Sequence, residues 1–174
     1  MAAKKPELPY PWKSWKVPDA LDGFENGKLP PNILKPIRGG GLLWETAAKD
    51  WNDMCRAMRK DGIIMQTVSR GYRPYGTQLA MWVKRWQRRP SDRKPEVTKI
   101  WNKELWYLKK GASPSAAPGT SPHGWGCAQD IMHSDRKLFR WMCLNAPKYN
   151  FYLQAAKDSK WREDWHWHWI EPEQ

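Results

Sequence analysis

The chain has 174 residues, 40% of them hydrophobic, and a formal charge of +12 from 30 Lys and Arg against 18 Asp and Glu. That length suits one domain with its own hydrophobic core, and the composition excludes both a disordered tail and a membrane-embedded protein. The charge points to polyanions such as nucleic acid, anionic lipid or bacterial wall polymers, and by itself does not choose among them.

Residues 1–41 are rich in proline, glycine and lysine. Pro6, Pro9, Pro11, Pro18, Pro30, Pro31 and Pro36 forbid a long regular element, and three consecutive glycines, Gly39, Gly40 and Gly41, close the stretch. It reads as an extended arm, wrapped on the domain or used for docking, ahead of a domain over 42–174. The first residues carry no apolar run of the kind a signal peptide needs. No stretch approaches the roughly 20 apolar residues of a membrane span.

Beyond the arm, Leu43, Ala47, Trp51, Cys55 and Met58 recur at helical spacing and predict a helix over 42–60, stopped at Gly62. Ile63 to Val68 predicts a buried strand, and 69–76 a turn-rich loop. Leu79, Trp82, Val83 and Trp86 mark a second helix over 77–86. A charged connector follows over 88–95, then a short helix over 101–110 and a small-residue, flexible stretch over 111–122. A short strand is expected over 128–132, a helix over 135–144 with Leu138, Trp141 and Met142 inward, and closing strands over 151–154 and 164–170. This mixed order predicts an α+β fold, a small antiparallel sheet with flanking helices. Cys55, Cys127 and Cys143 form no CxxC pair and read as buried or free thiols. The 14 tryptophans exceed what a core of this size needs, so some are expected to line a groove or an interface.

All four histidines lie after position 120, two of them in dense motifs. The first motif is Ser121-Pro-His123-Gly-Trp-Gly126-Cys-Ala128-Gln-Asp130. The second is Glu163-Asp-Trp165-His166-Trp-His168-Trp. A lone histidine among tryptophans is usually structural. Together the motifs supply what a catalytic zinc site needs: nitrogen and oxygen ligands, an open position and a nearby base. Gly124 and Gly126 suit a loop turning tightly into a strand.

The SPHGWGCAQD segment resembles the S-x-H-x-x-G-x-A-x-D motif of zinc D-alanyl-D-alanine carboxypeptidases of the VanY type. EDWHW resembles that family's E-x-W-H ending, SRGYRPYGTQ its S-x-Y-R segment, and FRWMCLNAPKYNF its helix followed by N-A-x-x-Y-G-F. The four segments occur in the family's order, across roughly 63–170. The resemblance implies a Hedgehog/D-Ala-D-Ala peptidase-like fold with Zn²⁺ held by His123, Asp130 and His166. It implies Glu163 as catalytic acid/base, Arg73 as the arginine facing the substrate carbonyl or carboxylate, and Gln78 and Ser121 as supporting polar positions near the substrate. Arg70 is an extra residue in the SRGYR register, Asn150 stands where the family has glycine, and His168 follows the WHW core unusually. His166-Trp-His168 also admits an H-x-H reading, as in lysostaphin-like and murein endopeptidases, in which His168 is the ligand. His133 reads as a surface or supporting residue.

The implied substrate is bacterial peptidoglycan, cut at the terminal D-Ala-D-Ala bond or at an internal stem bond. With no visible signal peptide, a phage-encoded enzyme is expected, released by lysis as an endolysin or carried on a virion whose tail proteins the arm contacts. The alternatives are a structural or binding component on the same fold, for example of a phage tail, and a nucleic-acid binder. The latter is disfavoured because no recognised nucleic-acid motif is present.

Overall fold

The computed structural model describes residues 8–157, 159–160 and 162–173. The first seven residues of the expected arm lie outside it. Two strands, β1 (Leu34–Pro36) and β2 (Leu42–Trp44), pair antiparallel and lead into helix α1 (Glu45–Lys60). Helix α2 (Tyr75–Arg85) runs into a three-stranded sheet of β3 (Trp86–Gln87), β4 (Thr98–Trp101) and β5 (Glu104–Leu108), in the order β3-β5-β4. Strand β6 (Ala128–Asp130), helix α3 (Arg136–Asn145), and strands β7 (Phe151–Leu153) and β8 (His166–Trp169) complete the chain. The second three-stranded sheet has the order β6-β8-β7, all antiparallel. The expected α+β class holds.

Helix α1 buries Ala47, Ala48, Trp51, Met54, Cys55 and Met58 along one stripe, and Gly62 takes the left-handed conformation just past its end. Glu45 in its first turn and Arg59 and Lys60 in its last complement the helix dipole. Helix α3 is capped by Asp135, whose carboxylate accepts from the amides of Lys137 (2.9 Å) and Leu138 (3.1 Å). The two helices cover one face of the β6-β8-β7 sheet. Trp167 and Trp169 of β8 and Phe151 and Leu153 of β7 point into this core, where the rings of Trp51 and Phe151 meet edge to face at 5.1 Å. Residues alternate faces along a strand, so His166 and His168 lie on the opposite face.

A second, smaller core lies under the other sheet. Trp82 and Trp86 stack at 4.8 Å, and Trp101 and Trp106 each meet Trp82 at 5.5 Å. Two expectations fail here and nearby. The helix expected over 101–110 is a hairpin: Asn102 and Lys103, both at positive φ, turn β4 back into β5. The burial of Trp106 and Leu108 with Leu105 exposed follows a period of two, not 3.6. The strand expected over 63–68 is reduced to one bridge, Thr67 to Ile131, and Ile64 is 77% exposed. There the Ser69 hydroxyl takes the Asp130 amide at 3.1 Å, so a side chain replaces the next rung of the ladder.

Residues 8–41 lie against the rest of the chain. Leu21, Leu29, Leu34 and Ile37 are buried in the main core. Trp12 bridges Leu153 at the edge of β7, and the Trp15 indole donates to the Trp169 carbonyl at 3.1 Å. All three cysteines are free and buried, and burial pushes the Cys55 and Cys143 thiols up to about 12, which leaves them inert near neutral pH. No helix among the described residues is long and apolar enough to cross a membrane.

Candidate active site

The register of β6 against β8 sets Asp130 directly opposite His166. Cross-strand partners on one face lie within side-chain reach, and the Asp130 carboxylate stands 2.9 Å from His166 Nδ1. His123 arrives from a short 3₁₀ turn, Pro122–Trp125, whose cap Gly126 has φ 63°. A Cβ on Gly126 would meet the Trp44 amide at 2.6 Å, and one on Gly124 would meet the Asn26 side chain at 2.0 Å. The glycines therefore let this turn press against β2 and the N-terminal segment, which sets His123 beside the sheet. Its Nε2 lies 3.4 Å from the Asp130 carboxylate, and its ring meets that of His166 at 4.8 Å. One donor atom each from His123, Asp130 and His166 fit within 4.8 Å of one another.

The protonation pattern of this trio is informative. His123 Nδ1 lies 2.8 Å from the Gly71 carbonyl, which can only accept. A neutral His123 therefore carries its proton on Nδ1 and turns the Nε2 lone pair toward the Asp130 carboxylate. Burial opposes ionisation of Asp130, but the His166 Nδ1–H at 2.9 Å favours the carboxylate. Burial lowers the pKa of His166, against the opposing pull of Asp130. Two acceptors facing each other in a buried place call for a cation between them. Neutral imidazoles and an ionised carboxylate are also the donor types zinc prefers. The Gly71 carbonyl fixes the His123 ring as an outer partner does for a metal-binding histidine.

A cleft of about 330 Å³ opens over the trio and is also lined by Arg73, Arg85, Ser121, Gln154, Glu163 and Trp165. Glu163 precedes β8, and its carbonyl accepts from the His166 amide at 3.0 Å. Burial raises its pKa above the ordinary glutamate value, partly offset by His166. Arg73 is tied at both ends. Its amide donates to the His123 carbonyl at 2.9 Å, and its guanidinium donates to Gln78 Oε1 at 2.8 Å. Burial lowers the Arg73 pKa, but a guanidinium remains charged at any working pH.

The chain thus brings together His123, Asp130, His166, Glu163, Arg73 and Ser121. Gln78 stands behind the cleft wall, with its amide nitrogen on the Ala116 carbonyl at 2.7 Å, so it positions Arg73 and the 111–122 stretch. His168 lies apart, fully buried, its Nε2 donating to the Lys13 carbonyl at 3.0 Å. His133 is exposed and packs on the Trp165 ring at 5.4 Å.

Three supports escaped the sequence. Gln129 is buried, and its amide donates to the Ser69 carbonyl at 2.9 Å, which fixes the SRGYR loop against β6. Asn26 donates to the Ser121 carbonyl at 2.8 Å, and the Gly27 amide to the Gly124 carbonyl at 2.8 Å, bracing the His123 turn from behind. Tyr10 donates to Asp164 at 2.9 Å, while Arg162 grips the same carboxylate through two bonds of 2.6 Å and lies over the Tyr10 ring at 4.9 Å. That knot flanks Glu163. Gln129 sits in the quoted motif and Asn26 in a polar turn, so both were visible as residue types. Nothing in the sequence gave their partners.

A family model described as VanY, D-alanyl-D-alanine carboxypeptidase, matches residues 41–172. The chain belongs to the VanY family. Among solved structures it is similar to a vancomycin-resistance D,D-pentapeptidase VanY from a VanB-type resistance cassette, a mutant in complex with Zn(II), at 21% identity and a TM-score of 0.53. That match covers 82% of this chain and 83% of the other. VanYB in complex with D-alanine-D-alanine aligns at 21% identity and a TM-score of 0.54, covering 79% of this chain and 77% of that one. At these identities the likeness is one of fold, and the fold is VanY-like. The LdcB LD-carboxypeptidase aligns at 20% identity and a TM-score of 0.48, over 76% of this chain, which spans 66% of the LdcB chain. No curated protein matches the sequence.

Proposed function

We propose that this VanY-family chain is a zinc-dependent peptidase of peptidoglycan stem peptides, with His123, Asp130 and His166 as the metal ligands. One observation carries the reading: the half-buried Asp130 carboxylate and Nε2 of a His123 ring fixed by the Gly71 carbonyl face each other at 3.4 Å, in a cleft also lined by Glu163 and Arg73. The zinc-bound relative of the same fold supports the choice of metal.

When bound, zinc supplies a Lewis acid and water acidic enough to ionise near neutral pH. Glu163 takes a proton from the attacking water and returns one to the leaving amine. Its raised proton affinity, a result of burial, suits a group that must do both. Arg73, held rigid by Gln78, presents a fixed cation to the substrate's carbonyl oxygen or terminal carboxylate. One such donor is worth about 3 kcal/mol in the transition state. Ser121 lines the same wall and offers a hydroxyl to the substrate backbone. A planar, half-buried guanidinium matches a carboxylate well, which favours removal of a terminal D-alanine over cutting within the stem.

Metal analysis joined to a product assay tests this. The wild type is expected to bind one zinc and release free D-alanine from stem pentapeptide. Glu163→Gln is expected to retain the zinc and lose roughly 10²–10⁴-fold in turnover. Near-native turnover in that variant removes Glu163 as the base. Stem fragments without free D-alanine would mark an endopeptidase instead. Zinc without hydrolysis of any wall preparation would mark a structural or binding protein.

A further inference from the structure

A second cavity, of about 650 Å³, lies beside the cleft. Met81, Arg85 and Ser113 line both, so the two cavities adjoin with Arg85 at the junction. Lys84, Arg85, Lys109 and Lys110 line the outer part, and no acidic residue does. The Lys109 ammonium donates to the Val83 carbonyl at 2.8 Å and Arg85 to the Pro114 carbonyl at 3.2 Å, both neutral acceptors, and Arg85 also feels the Glu163 carboxylate of the cleft. Lys84 and Lys110 are exposed and make no ion pair with an acid among the described residues.

This concentration of charge is local. Residues 77–113 hold ten Lys and Arg against three Asp and Glu, so more than half of the chain's +12 sits in this one lobe. Lys84 and Arg85 also complement the C-terminal end of α2. That role does not require Lys109 and Lys110, which come from the end of β5 and the turn after it. The two elements are locked together: the Lys109 amide donates to the Arg85 carbonyl at 2.9 Å, and Trp86 pairs with Leu108 above the stacked tryptophans. The basic groove is therefore rigid in backbone and open to solvent in charge.

We infer that this groove is an anion subsite that takes a carboxylate of the peptide being cut, borne on a residue removed from the scissile bond. The inference rests on the peptidase reading above and extends it to substrate choice. A phosphodiester wall polymer offers similar charge. Adjacency to the cleft through Arg85 favours an anion on the same molecule whose bond lies over the trio.

The test uses two stem peptides that differ only in whether one carboxylate upstream of the scissile bond is free or amidated. The wild type is expected to cleave the free-acid peptide about tenfold better in kcat/KM at low salt. That preference should shrink as added salt shortens the screening length. The double variant Lys84→Gln, Lys110→Gln changes two exposed side chains only. It is expected to lose the preference while cleaving the amidated peptide at the wild-type rate. Equal cleavage of both peptides by the wild type, or an undiminished preference in the double variant, overturns the subsite and leaves the peptidase standing. If neither peptide is cleaved, direct binding titration decides: tighter binding of the free-acid peptide that depends on Lys84 and Lys110 upholds the subsite while the peptidase falls, and equal binding sinks both. Binding of a glycerol-phosphate polymer through these lysines with no carboxylate preference also overturns it.

Discussion

Acid sensitivity of the fold provides a sharp test of which histidine belongs to the metal site. His168 is fully buried, donates to the Lys13 carbonyl, and has no hydrogen-bond partner for Nδ1 among the described residues. Burial, reinforced by the neighbouring His166, lowers its pKa to about 3. In the unfolded chain a histidine titrates near 6.5. Between those values the unfolded state binds a proton that the folded state refuses, so stability is intact above about 6.5 and falls as pH drops. The slope is about 1.4 kcal/mol per pH unit, which gives a loss of roughly 2.5 kcal/mol from this one side chain between pH 7.5 and 4.5. Urea unfolding of wild type and His168→Phe across that range measures it. The variant starts less stable because the Lys13 carbonyl loses its donor, but its stability should fall less steeply on acidification, and its zinc content should match wild type. Parallel pH profiles would refute the burial argument. Loss of zinc on this substitution would refute the ligand set and install His168 in place of His166.

Two further substitutions probe the supports of the site. Gly124→Ala places a methyl group 2.0 Å from the Asn26 side chain, which must leave the Ser121 carbonyl. Abandoning that buried bond costs about 1–3 kcal/mol, and zinc affinity should fall as the His123 turn shifts. Adding Asn26→Gly to make room should restore zinc affinity, as a double-mutant cycle measures. Tyr10→Phe removes the hydroxyl from Asp164 beside Glu163 while leaving the ring under Arg162. Steady-state kinetics should show kcat reduced a few-fold with KM unchanged; a change in KM alone would mean the knot acts on substrate binding instead.

The parts of the fold that announce themselves in the sequence are those governed by local pattern. The stripe of α1, the inward Leu138, Trp141 and Met142 of α3 and the chemistry of the two histidine motifs are all encoded within a few residues of one another. The hairpin of β4 and β5 was hidden because Trp101, Leu105 and Leu108 mimic a helical spacing, while the decisive signal was the Asn102-Lys103 turn. The strand expected at 63–68 failed for the opposite reason. Its composition is apolar and β-branched, but it pairs only through the bridge of Thr67 to Ile131, and past Val68 the Ser69 hydroxyl takes the Asp130 amide that would have continued the ladder. Composition reports what a segment prefers, and the available partner decides what it becomes.

The contacts that order the site belong to a third kind, invisible in sequence because backbone groups make them. The Gly71 carbonyl sets the His123 tautomer, the Lys13 carbonyl holds His168, and the Gly27 amide braces the 124 carbonyl. No side-chain pattern marks any of them. Two come from residues before 41, where the family match begins. Among the described residues, the N-terminal segment touches the His123 turn through Asn26 and Gly27, the face of β8 through Lys13, the flank of Glu163 through Tyr10, and the Arg73 segment through Leu29 and Gly27. Each reaches a different chain segment of the site. A ligand set drawn from a turn and two strands tolerates little error before its affinity falls. A segment that braces these regions from outside therefore contributes to the geometry of the site, even though it supplies none of the cleft-lining side chains.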